Sequence, residues 1–559
     1  MTAAATVGDP VVQPSPWYRR PVAWTWVATA ATLVLYAVLG WQRRWMSDDG
    51  LLVLRTVREI LAGHGPVFNV GERVEASTSP LWTWLLAGFG AIPGPPLEWV
   101  AVVVGLLCAV GGLFFGLDGA RRLYGAAVAP AGALVVCVLP PFRDFATSGL
   151  ETGLALLWLG GSWWLLVRGK APVVTALVLG LGPLVRPDLA LFSVVGFVAL
   201  LLLRRPKLRT ALGWLAAAVA LPVGYQVFRM GYYGLLVPNT ALAKEAGDAD
   251  WPRGFAYLAD LVTPYLLWLP LLLLIVVAAL VRRSRILTLA PVVAAVLLTA
   301  YVVRVGGDFM HGRMLLPALF VVLLPVMAVP LTRRTVALVV AVWVWAVAAG
   351  GWLRVPYEND HLAVSVTDER SYWSWATGKA NPVLATDFLG QDVIHRAVDA
   401  VAGTRDPAVL VYSYGDVKQW FRFPTDLPYV TLAADSMGAI SNMVSVDVRV
   451  HDGYGLASDL AAHSASIPGG RPGHSKWLVG AWEIAAAGRG DLAVDGQIRI
   501  FQPAEIDAAR AALRCPAEQD VLTSTRGEMS WSRFIDNFAG AWHRTEIRYP
   551  RDPGEAARC

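Results

Sequence analysis

Long runs of apolar residues alternate with short polar segments along the first two thirds of the chain. About eleven of these runs span or nearly span a bilayer core, which needs roughly 20 apolar residues. They cover residues 21–41, 97–119, 126–141, 150–167, 171–185, 188–203, 210–228, 262–281, 285–303, 314–331 and 335–353. The pattern predicts a membrane α-helical bundle of about eleven transmembrane helices over residues 21–353, preceded by a cytoplasmic tail at 1–20.

The pattern changes after residue 353. Residues 354–559 mix polar and apolar positions, and contain no run long enough to cross a membrane. Short apolar runs predict strands at 408–412 and 497–501, and the spacing at 504–513 predicts a helix. A segment of this size is long enough for its own core. We therefore expect a soluble C-terminal α/β domain.

Composition and loop charge support this topology. The chain is 56% hydrophobic and 16% charged, whereas soluble proteins carry about 25% charged residues. With eleven spans, six basic clusters fall on one side, which the positive-inside rule assigns to the cytoplasm. They include residues 19–20, 121–122, 168–170, 204–209, 282–285 and 333–334. The C-terminal domain is then outside, and residues 80–92 are interpreted as a helix on the outer surface.

Arg43 and Arg44 are the exception, because they fall outside. We expect the neighbouring acidic pair, Asp48 and Asp49, to neutralise them. The other unusual polar residues also fall on the outer side, in the loop 41–96 and in later outer loops. They are Arg55, His64, Glu75, Arg143, Asp144, Glu151, Arg186, Asp188, Asn239, Lys244, Glu245, Arg304, Asp308, His311 and Arg313. A simple anchor does not need this asymmetry, whereas an outward-facing active site does.

The acidic pair is the strongest catalytic candidate. Ser47 is a plausible helix N-cap, and Asp48 and Asp49 then lie in the first turn. The apolar spacing of residues 51–61 is typical of a helix lying in the membrane interface. A helix N-terminus favours ionised carboxylates, so one aspartate can act as a base. The alternative is that the pair only caps the helix, with one member paired to Arg55.

A second polar cluster lies at residues 304–313. Arg304, His311 and Arg313 supply positive charge beside Asp308, and arginine can bind a phosphate through two hydrogen bonds. Lys244 is a further phosphate candidate. Each has a structural alternative: a salt-bridged loop for 304–313, a surface Lys-Glu pair at 244–245, a locally bonded His64 and a helix-stabilising Glu151. Arg186 is expected to pair with an acid such as Asp188 or with an anionic ligand.

The four cysteines and the tryptophans add smaller expectations. Cys108 and Cys137 fall within predicted spans, whereas Cys515 and Cys559 are both in the outer domain, where a disulfide can form. No phosphate-binding loop, dinucleotide fingerprint, zinc spacing or hydrolase elbow is evident. Four outer-domain tryptophans could stack on sugars or simply pack: Trp373, Trp375, Trp420 and Trp477.

Several motifs resemble one family in chain order. The first outer loop carries Asp48-Asp49-Gly50, then Gly63-His64-Gly65 and the run 67–82 (VFNVGERVEASTSPLW). Further stretches of the same kind lie at 148–152, 238–245, 306–317, 452–457 and 473–477. Together they resemble the actinobacterial terminal β-(1→2)-arabinofuranosyltransferases, membrane glycosyltransferases of the GT-C fold class.

This resemblance implies a donor, an acceptor and a location. The donor would be decaprenylphosphoryl arabinofuranose, and the acceptors would be the non-reducing ends of arabinan in arabinogalactan and lipoarabinomannan. Transfer would take place on the periplasmic side of the membrane. By position, Asp48 and Asp49 are the catalytic candidates, with Asp48 preferred as the acid nearer the helix start. Asn239, Lys244, Asp308, His311 and Arg313 would contact donor or acceptor.

Two alternatives remain open at this point. The same fold could use another polyprenyl-phosphate sugar, such as mannose, or the chain could be a non-catalytic carrier or scaffold for cell-wall lipids and glycans. The residues imply no cofactor and no metal site, although a divalent cation beside two aspartates is conceivable. The expected partners are the lipid-linked donor, the arabinan acceptor and the lipid bilayer, with no nucleic acid. If donor and product are both β-linked, configuration is retained, and a double displacement or a same-face route would explain it.

Overall fold

The computed structural model describes residues 21–125, 128–245, 248–281, 283–353, 366–413, 419–434, 436–468, 470, 473–489 and 501–559. Most of the described chain is helical. The expected tail at 1–20 and most of the strand expected at 497–501 lie outside the described residues.

The first part of the chain contains seventeen of the described α-helices and two short strands. The helices are α1 Pro21–Gln42, α2 Asp48–Leu61, α3 Pro80–Gly90, α4 Leu97–Tyr124, α5 Gly132–Val138, α6 Pro140–Asp144, α7 Thr152–Arg168, α8 Pro172–Gly180, α9 Gly182–Val185, α10 Ala190–Arg204, α11 Leu208–Tyr233, α12 Asn239–Ala243, α13 Trp251–Val262, α14 Trp268–Val281, α15 Arg285–Arg304, α16 Leu316–Leu323 and α17 Val336–Gly351. The strands are β1 Val128–Pro130 and β2 Ala328–Pro330, and 3₁₀ turns lie at Pro187–Leu189, Arg313–Leu315 and Leu324–Val326.

Five helical stretches in the described residues are long and apolar enough to cross a membrane. They are Val22–Gln42, Leu97–Tyr124, Pro187–Arg204, Leu208–Tyr233 and Arg285–Arg304. Shorter apolar helices lie at Pro172–Val185, Trp268–Val281, Arg313–Val326 and Val336–Gly351. Length and composition thus describe a membrane protein with several apolar helices.

Two of the predicted apolar runs are broken, not single helices. Residues 126–141 contain β1, α5 and the start of α6, where Pro140 and Pro141 begin a new helix. Residues 314–331 contain a 3₁₀ turn, α16, a second turn and β2. The strands β1 and β2 pair antiparallel, with Ala129 opposite Val329. Because protein covers these segments, their freed backbone groups can bond internally, which is the condition for irregular backbone at membrane depth.

The helices α4 and α7 pack closely against each other. A Cβ added at Gly153 would lie 2.2 Å from the carbonyl oxygen of Gly105, and one added at Gly160 would lie 2.4 Å from that of Gly112. Glycine at these positions lets the two backbones touch, as small residues do between membrane helices. The packing fixes the turn before α7, and the Ser148 carbonyl in that turn accepts from the Ser47 amide at 2.9 Å. The start of α2 is therefore anchored to the helical core.

The C-terminal part combines nine of the described helices with one small sheet. Its helices are α18 Glu369–Thr377, α19 Asp392–Ala402, α20 Met437–Met443, α21 Asp459–His463, α22 Gly480–Ala487, α23 Pro503–Ala512, α24 Pro516–Arg526, α25 Trp531–Glu546 and α26 Pro553–Ala556, with a 3₁₀ turn at Ala385–Gly390. Its strands are β3 Ala408–Tyr412, β4 Trp420–Pro424, β5 Thr431–Ala433 and β6 Arg449–His451. They form one mixed sheet in the order β4-β3-β5-β6, where only the β3–β4 pair is antiparallel.

Several local predictions for this unit are confirmed. The strand expected at 408–412 is β3, and the helix expected at 504–513 is α23. Cys515 and Cys559 form a disulfide with a Cα–Cα distance of 5.8 Å, and Cys108 and Cys137 are buried and unpaired with each other.

The helix α2 also begins as expected, but its surroundings differ. Ser47 caps it by accepting from the Gly50 amide, with Asp48 and Asp49 in the first turn. Its apolar residues Leu51, Leu54 and Val57 are fully buried, because α3 and α20 cover the helix. The prediction of a helix lying in the membrane interface is therefore wrong: protein, not lipid, covers the apolar face.

Candidate active site

A cavity of about 370 Å³ opens where the start of α2 meets the C-terminal unit. Its lining comes from four places: α2, the loops around Lys244 and Phe309, the start of α18, and the loops beside α20 and β6. The lining residues are Asp48, Asp49, Lys244, Phe309, Thr367, Glu369, Tyr372, Trp373, Ser436, Met437, Tyr454, Leu456, Gly473 and His474. Both members of the acidic pair therefore face one cavity between the two parts of the chain.

Asp48 bridges the two parts of the molecule. Its Oδ1 accepts from the Ala439 amide at 2.8 Å, and its Oδ2 accepts from the Gly438 amide at 3.2 Å. The contact is tight, because a Cβ on Gly438 would lie 2.0 Å from the Asp48 carbonyl oxygen. Burial, and then the charge of Asp49, raise the pKa of Asp48 to about 7 despite these two hydrogen bonds. Both carboxylate oxygens of Asp48 thus serve to dock α20.

Asp49 faces the cations of the helical unit. Its Oδ2 lies 3.5 Å from Arg313 Nη1 and 3.9 Å from Lys244 Nζ, and its side chain keeps 19% of its exposure. Asp308 Oδ2 lies 3.4 Å from Arg313 Nε, so the arginine is held between two carboxylates. The prediction that the pair would neutralise Arg43 is wrong, because Arg43 Nη2 donates to Asp144 at 2.8 Å.

The start of α18 carries a third carboxyl group into this cavity. Glu369 is 7% exposed, and its Oε1 accepts from the indole of Trp373 at 3.1 Å. The start of α18 is held by the loop at residues 304–313, which we call the cation loop. The Thr367 amide donates to the Phe309 carbonyl at 2.7 Å, and the His311 amide donates to the Thr367 carbonyl at 3.0 Å. Burial, and then Asp49, raise the pKa of Glu369 well above its usual value.

Aromatic rings form the opposite wall. Tyr454 packs edge-on against His474, with ring centroids 4.8 Å apart, and Phe309 packs against the same histidine at 5.1 Å. The loop that presents Tyr454 is folded by Asp452, whose carboxylate accepts from the amides of Leu456 and Ala457, each at 2.9 Å. An aromatic and polar wall of this kind suits a sugar ring, which has apolar faces and hydroxyl edges.

His311 lies behind this cavity in a small polar space. Its Nδ1 is 2.6 Å from Asp260 Oδ2, and its Nε2 is 3.1 Å from the Tyr265 hydroxyl. Glu369 borders this space as well as the main cavity. His311 is therefore adjacent to the site without lining the main cavity.

Other predicted site residues serve the packing between the two parts. Arg55 pairs with Glu59 at 2.8 Å and donates to four carbonyls between residues 441 and 448. The proposed pairing of Arg55 with an aspartate is therefore wrong, and Arg55 does not face the cavity. His64 bonds to Glu59 at 2.6 Å, which is the local bonding considered as its alternative.

The remaining candidates also lie outside the cavity. Glu75 accepts from Arg229 Nε at 2.6 Å, and Arg186 pairs with Asp188 at 2.8 Å, with Glu151 3.8 Å from the same guanidinium. Asn239 donates to the carbonyls of Gly455 at 2.7 Å and Ser458 at 3.1 Å, so it holds the Tyr454 loop. Arg304 is exposed. Glu245 pairs with Lys476 and Arg548, not with Lys244.

A buried ionic network fastens the first outer loop to β6. Glu72 pairs with Arg449 and, at 2.8 Å, with His451 Nε2, while His451 Nδ1 lies 2.8 Å from Glu483. Burial alone would lower the pKa of His451, but the two glutamates raise it to about 10. Asn69 extends the contact by exchanging two hydrogen bonds with the backbone of Val450, at 2.8 and 3.0 Å. The cavity is therefore enclosed by a firmly packed interface.

Sequence reasoning missed Glu369, Tyr372, Tyr454 and His474 as site residues, although Trp373 was a sugar-stacking candidate. Asp368 caps α18 by accepting from the Ser371 amide, and Glu369 lies in the first turn of that helix. A capping residue followed by an acid, in the first helix after the last apolar run, is a signal that could have identified Glu369. Trp375 is exposed and Trp477 lines a neighbouring cavity instead. Within the described ranges, no group of three or more His, Cys, Asp and Glu side chains could hold a metal ion.

Comparison with known proteins gives a consistent result. Residues 414–554 match the model of the AftB family C-terminal domain. A terminal β-(1→2)-arabinofuranosyltransferase of Mycobacterium tuberculosis is 37% identical over 616 residues, covering 96% of this chain and 97% of the relative. A protein of the same name from Corynebacterium glutamicum is 37% identical over 580 residues, covering 91% of this chain and 83% of the relative. No solved structure matches the chain.

The similarity to these two relatives extends over nearly the whole length of the chain. The chain therefore belongs to the family of terminal β-(1→2)-arabinofuranosyltransferases, which are glycosyltransferases.

Proposed function

We propose that this protein transfers D-arabinofuranose from decaprenylphosphoryl arabinose to the non-reducing ends of arabinan, forming terminal β-(1→2) linkages. The arabinan would belong to arabinogalactan or lipoarabinomannan. The observation that carries the proposal is that Asp49 and Lys244 line one cavity, and Asp49 Oδ2 lies 3.9 Å from Lys244 Nζ and 3.5 Å from Arg313 Nη1. In this arrangement a carboxylate that can react at the sugar carbon would lie next to cations that can stabilise a leaving phosphate.

Asp49 is the reacting carboxylate in this proposal, although Asp48 was preferred from the sequence. Both oxygens of Asp48 accept from backbone amides of α20, whereas Asp49 contacts only the two cations by ion pairing and is partly exposed to the cavity. The acceptor 2-hydroxyl replaces polyprenyl phosphate at the anomeric carbon. Lys244 and Arg313 stabilise the negative charge that develops on the phosphate.

The stereochemistry allows two roles for Asp49. In a double displacement its oxygen bonds to the anomeric carbon as the phosphate leaves, and the acceptor hydroxyl then displaces it. In a same-face route Asp49 instead takes the proton of the attacking hydroxyl. A donor that slows the second step distinguishes them: mass spectrometry of the stalled protein finds an arabinosyl group on Asp49 only in the first case.

An apolar groove supports a lipid-linked donor. It has a volume of about 430 Å³ and lies between α13, α14, α15 and α16. Its residues include Trp251, Phe255, Leu271, Ala300, Leu315 and Leu319. Leu315 follows Arg313 by two positions, so the groove begins beside the cation loop. A polyprenyl chain in this groove would leave its phosphate near Arg313.

Filling the groove tests this part of the proposal. We expect Ala300→Trp to raise the KM for a decaprenyl donor by about tenfold, since several buried methylenes lose their contacts. A donor with a short prenyl chain should be affected less. Val344→Trp, at an exposed position of α17 outside the groove, is the matched control. Equal effects of Ala300→Trp on both donors would argue against a lipid site here.

We further propose a GT-C fold with about eleven spans over 21–353, a cytoplasmic tail at 1–20, and a periplasmic domain at 354–559. The active site would face the periplasm of a multi-pass plasma-membrane protein, and no cofactor is required. Accessible-cysteine labelling in intact cells tests the orientation: a cysteine placed at exposed Trp375 should react with an impermeant reagent. If this cysteine reacts only after the cells are lysed, the C-terminal domain lies in the cytoplasm and the proposed orientation is wrong.

One reaction tests the activity itself. Purified protein is offered lipid-linked arabinose and lipid-linked mannose together with a short synthetic arabinan, and the product linkage is analysed. We expect arabinose alone to be transferred, in β-(1→2) linkage. Transfer of mannose would support the alternative sugar, and binding of arabinan without any transfer would support a carrier or scaffold.

A further inference from the structure

Glu369 is a buried carboxyl group that lines the cavity, and one of its two oxygens has no hydrogen-bond partner among the described residues. Its Oε1 accepts from Trp373 at 3.1 Å, but its Oε2 is buried and has no hydrogen-bond partner among the described residues. Leaving a buried polar atom unpaired is costly, and such an atom in a native structure needs an explanation. A ligand in the cavity would supply the missing partner.

The surroundings of Glu369 favour a neutral acid over a carboxylate. Asp49 and Asp48 approach from α2, and their negative charges oppose ionisation of Glu369, while Arg313 favours it. Burial is the largest cause, and together with the aspartates it raises the pKa of Glu369 well above its usual value. Other titratable groups bordering the same two cavities are Lys244, Tyr372, Tyr454 and His474 in the larger one, and Asp144, Tyr265, His311, Asp368 and Arg370 in the smaller.

A neutral carboxyl group differs from the two aspartates in its chemistry. It has one O–H donor, whereas an ionised carboxylate can only accept. The donor would lie on Oε2, because Oε1 is already an acceptor for the indole. Among the groups that line the cavity with Glu369, Asp48 and Asp49 are acceptors when ionised, whereas Lys244 is a donor. A sugar oxygen that accepts a hydrogen bond would therefore find in a neutral Glu369 a donor that the two ionised aspartates do not offer.

We propose that Glu369 is a substrate-binding residue of this active site, which donates a hydrogen bond from Oε2 to a sugar oxygen of the bound arabinofuranosyl substrate. The inference rests on the proposed function, since it takes the ligand to be a furanose. Trp373 is a positioning residue in this arrangement: its indole bonds to Oε1, which leaves Oε2 as the oxygen available to a ligand.

Two substitutions separate this role from that of an ionised base. Glu369→Gln keeps a donor of the same shape, so we expect kcat/KM for arabinosyl transfer within about twofold of the unsubstituted protein at neutral pH. Glu369→Ala removes the donor and should lower kcat/KM by about tenfold, the value of one good hydrogen bond. Glu528, an exposed glutamate of the C-terminal unit, provides the control variant Glu528→Gln, with no expected change.

The pH profile gives a second readout. The unsubstituted protein should lose kcat/KM as pH rises through the pKa of Glu369, because ionisation removes the donor and adds a third negative charge. Glu369→Gln should lack this alkaline decline. The Ala variant could be poorly folded, which its melting temperature in detergent would show. In that case the comparison of the Gln variant with the unsubstituted protein still tests the donor role of Glu369.

Each outcome bears on one claim. If the unsubstituted protein transfers no arabinose, the proposed function fails before Glu369 is tested. If it does transfer arabinose and Glu369→Ala is equally active, the inference about Glu369 is overturned. A Gln variant as inactive as the Ala variant, or one that keeps the alkaline decline, would also overturn it, because an ionised carboxylate would then be required.

Discussion

The two walls of the active cavity are built differently. The wall from the helical unit carries charge: Asp49 and Lys244 line the cavity, and Asp49 Oδ2 lies 3.9 Å from Lys244 Nζ and 3.5 Å from Nη1 of the buried Arg313. The wall from the C-terminal unit carries rings, backbone amides and the carboxyl group of Glu369, and includes Tyr454, His474 and the start of α20. The difference suggests a division of labour in which the helical unit activates the donor phosphate and the C-terminal unit recognises the sugar acceptor.

Asp48 connects these walls, because it lies in α2 and its carboxylate bonds to α20. It follows the capped start of α2, yet both of its oxygens are bonded to α20, about 390 residues later in the chain. The position of Asp49 relative to its cations therefore depends on how the C-terminal unit docks. Four substitutions, taken in order of expected effect, test the division.

The largest effect is expected at Asp49. Asp49→Asn keeps the shape of the side chain but removes its negative charge, so kcat should fall by about 10³-fold, as for loss of a catalytic acid or base. The same variant should bind the acceptor normally. Asp406, whose side chain is 87% exposed, gives the control Asp406→Asn with unchanged rates. Normal transfer by Asp49→Asn would remove Asp49 from the chemistry.

Lys244 should have the next largest effect. Lys244→Ala removes one of two cations beside Asp49, and loss of one such electrostatic contact costs about 10²-fold in kcat. The acceptor KM should be little changed, because the cation belongs to the donor wall. Exposed Lys170 supplies the control Lys170→Ala. A change confined to the acceptor KM would contradict the division between the walls.

The sequence indicated local features, such as helix caps, better than it indicated which distant residues contact each other at this site. Ser47 as a cap and the disulfide between Cys515 and Cys559 were predictable, because residue type or spacing carries the signal. Glu369 was missed, and Arg55 was assigned the wrong partner. The contacts of Arg55 with carbonyls at 441–448 join positions almost 390 residues apart, and no local pattern encodes such a pairing.

The error about α2 has a related cause. An apolar stripe at helical spacing shows that one face avoids water, but it does not show whether lipid or protein covers that face. For α2 the cover is α3 on one side and α20 on the other. Only the fold of the C-terminal unit determines this, so the interface between the two parts was beyond a reading of residues 47–61.

Gly438 tests whether docking of α20 controls the charged wall. In Gly438→Ala the new Cβ would lie 2.0 Å from the Asp48 carbonyl oxygen, a backbone clash that must push α20 away. We expect a loss of kcat of about tenfold, in the range caused by modest misplacement of reacting groups. Gly88→Ala in α3, where no atom lies within 4 Å of the new Cβ, should be neutral. Equal activity of both variants would show that Asp48 does not couple the walls.

Tyr454 should give the smallest effect, and it should appear in a different parameter. Its ring packs on His474 in the wall assigned to the acceptor, and an aromatic contact contributes about 1 kcal/mol. Tyr454→Ala should therefore raise the KM for arabinan by about fivefold while kcat at saturating acceptor stays close to normal. The Asn239–Gly455 hydrogen bond should keep the loop in place, and circular dichroism and melting temperature verify that the fold is intact. If Tyr454→Ala instead lowers kcat with an unchanged acceptor KM, the ring acts at the reacting centre, and the separation of donor chemistry from acceptor recognition does not hold.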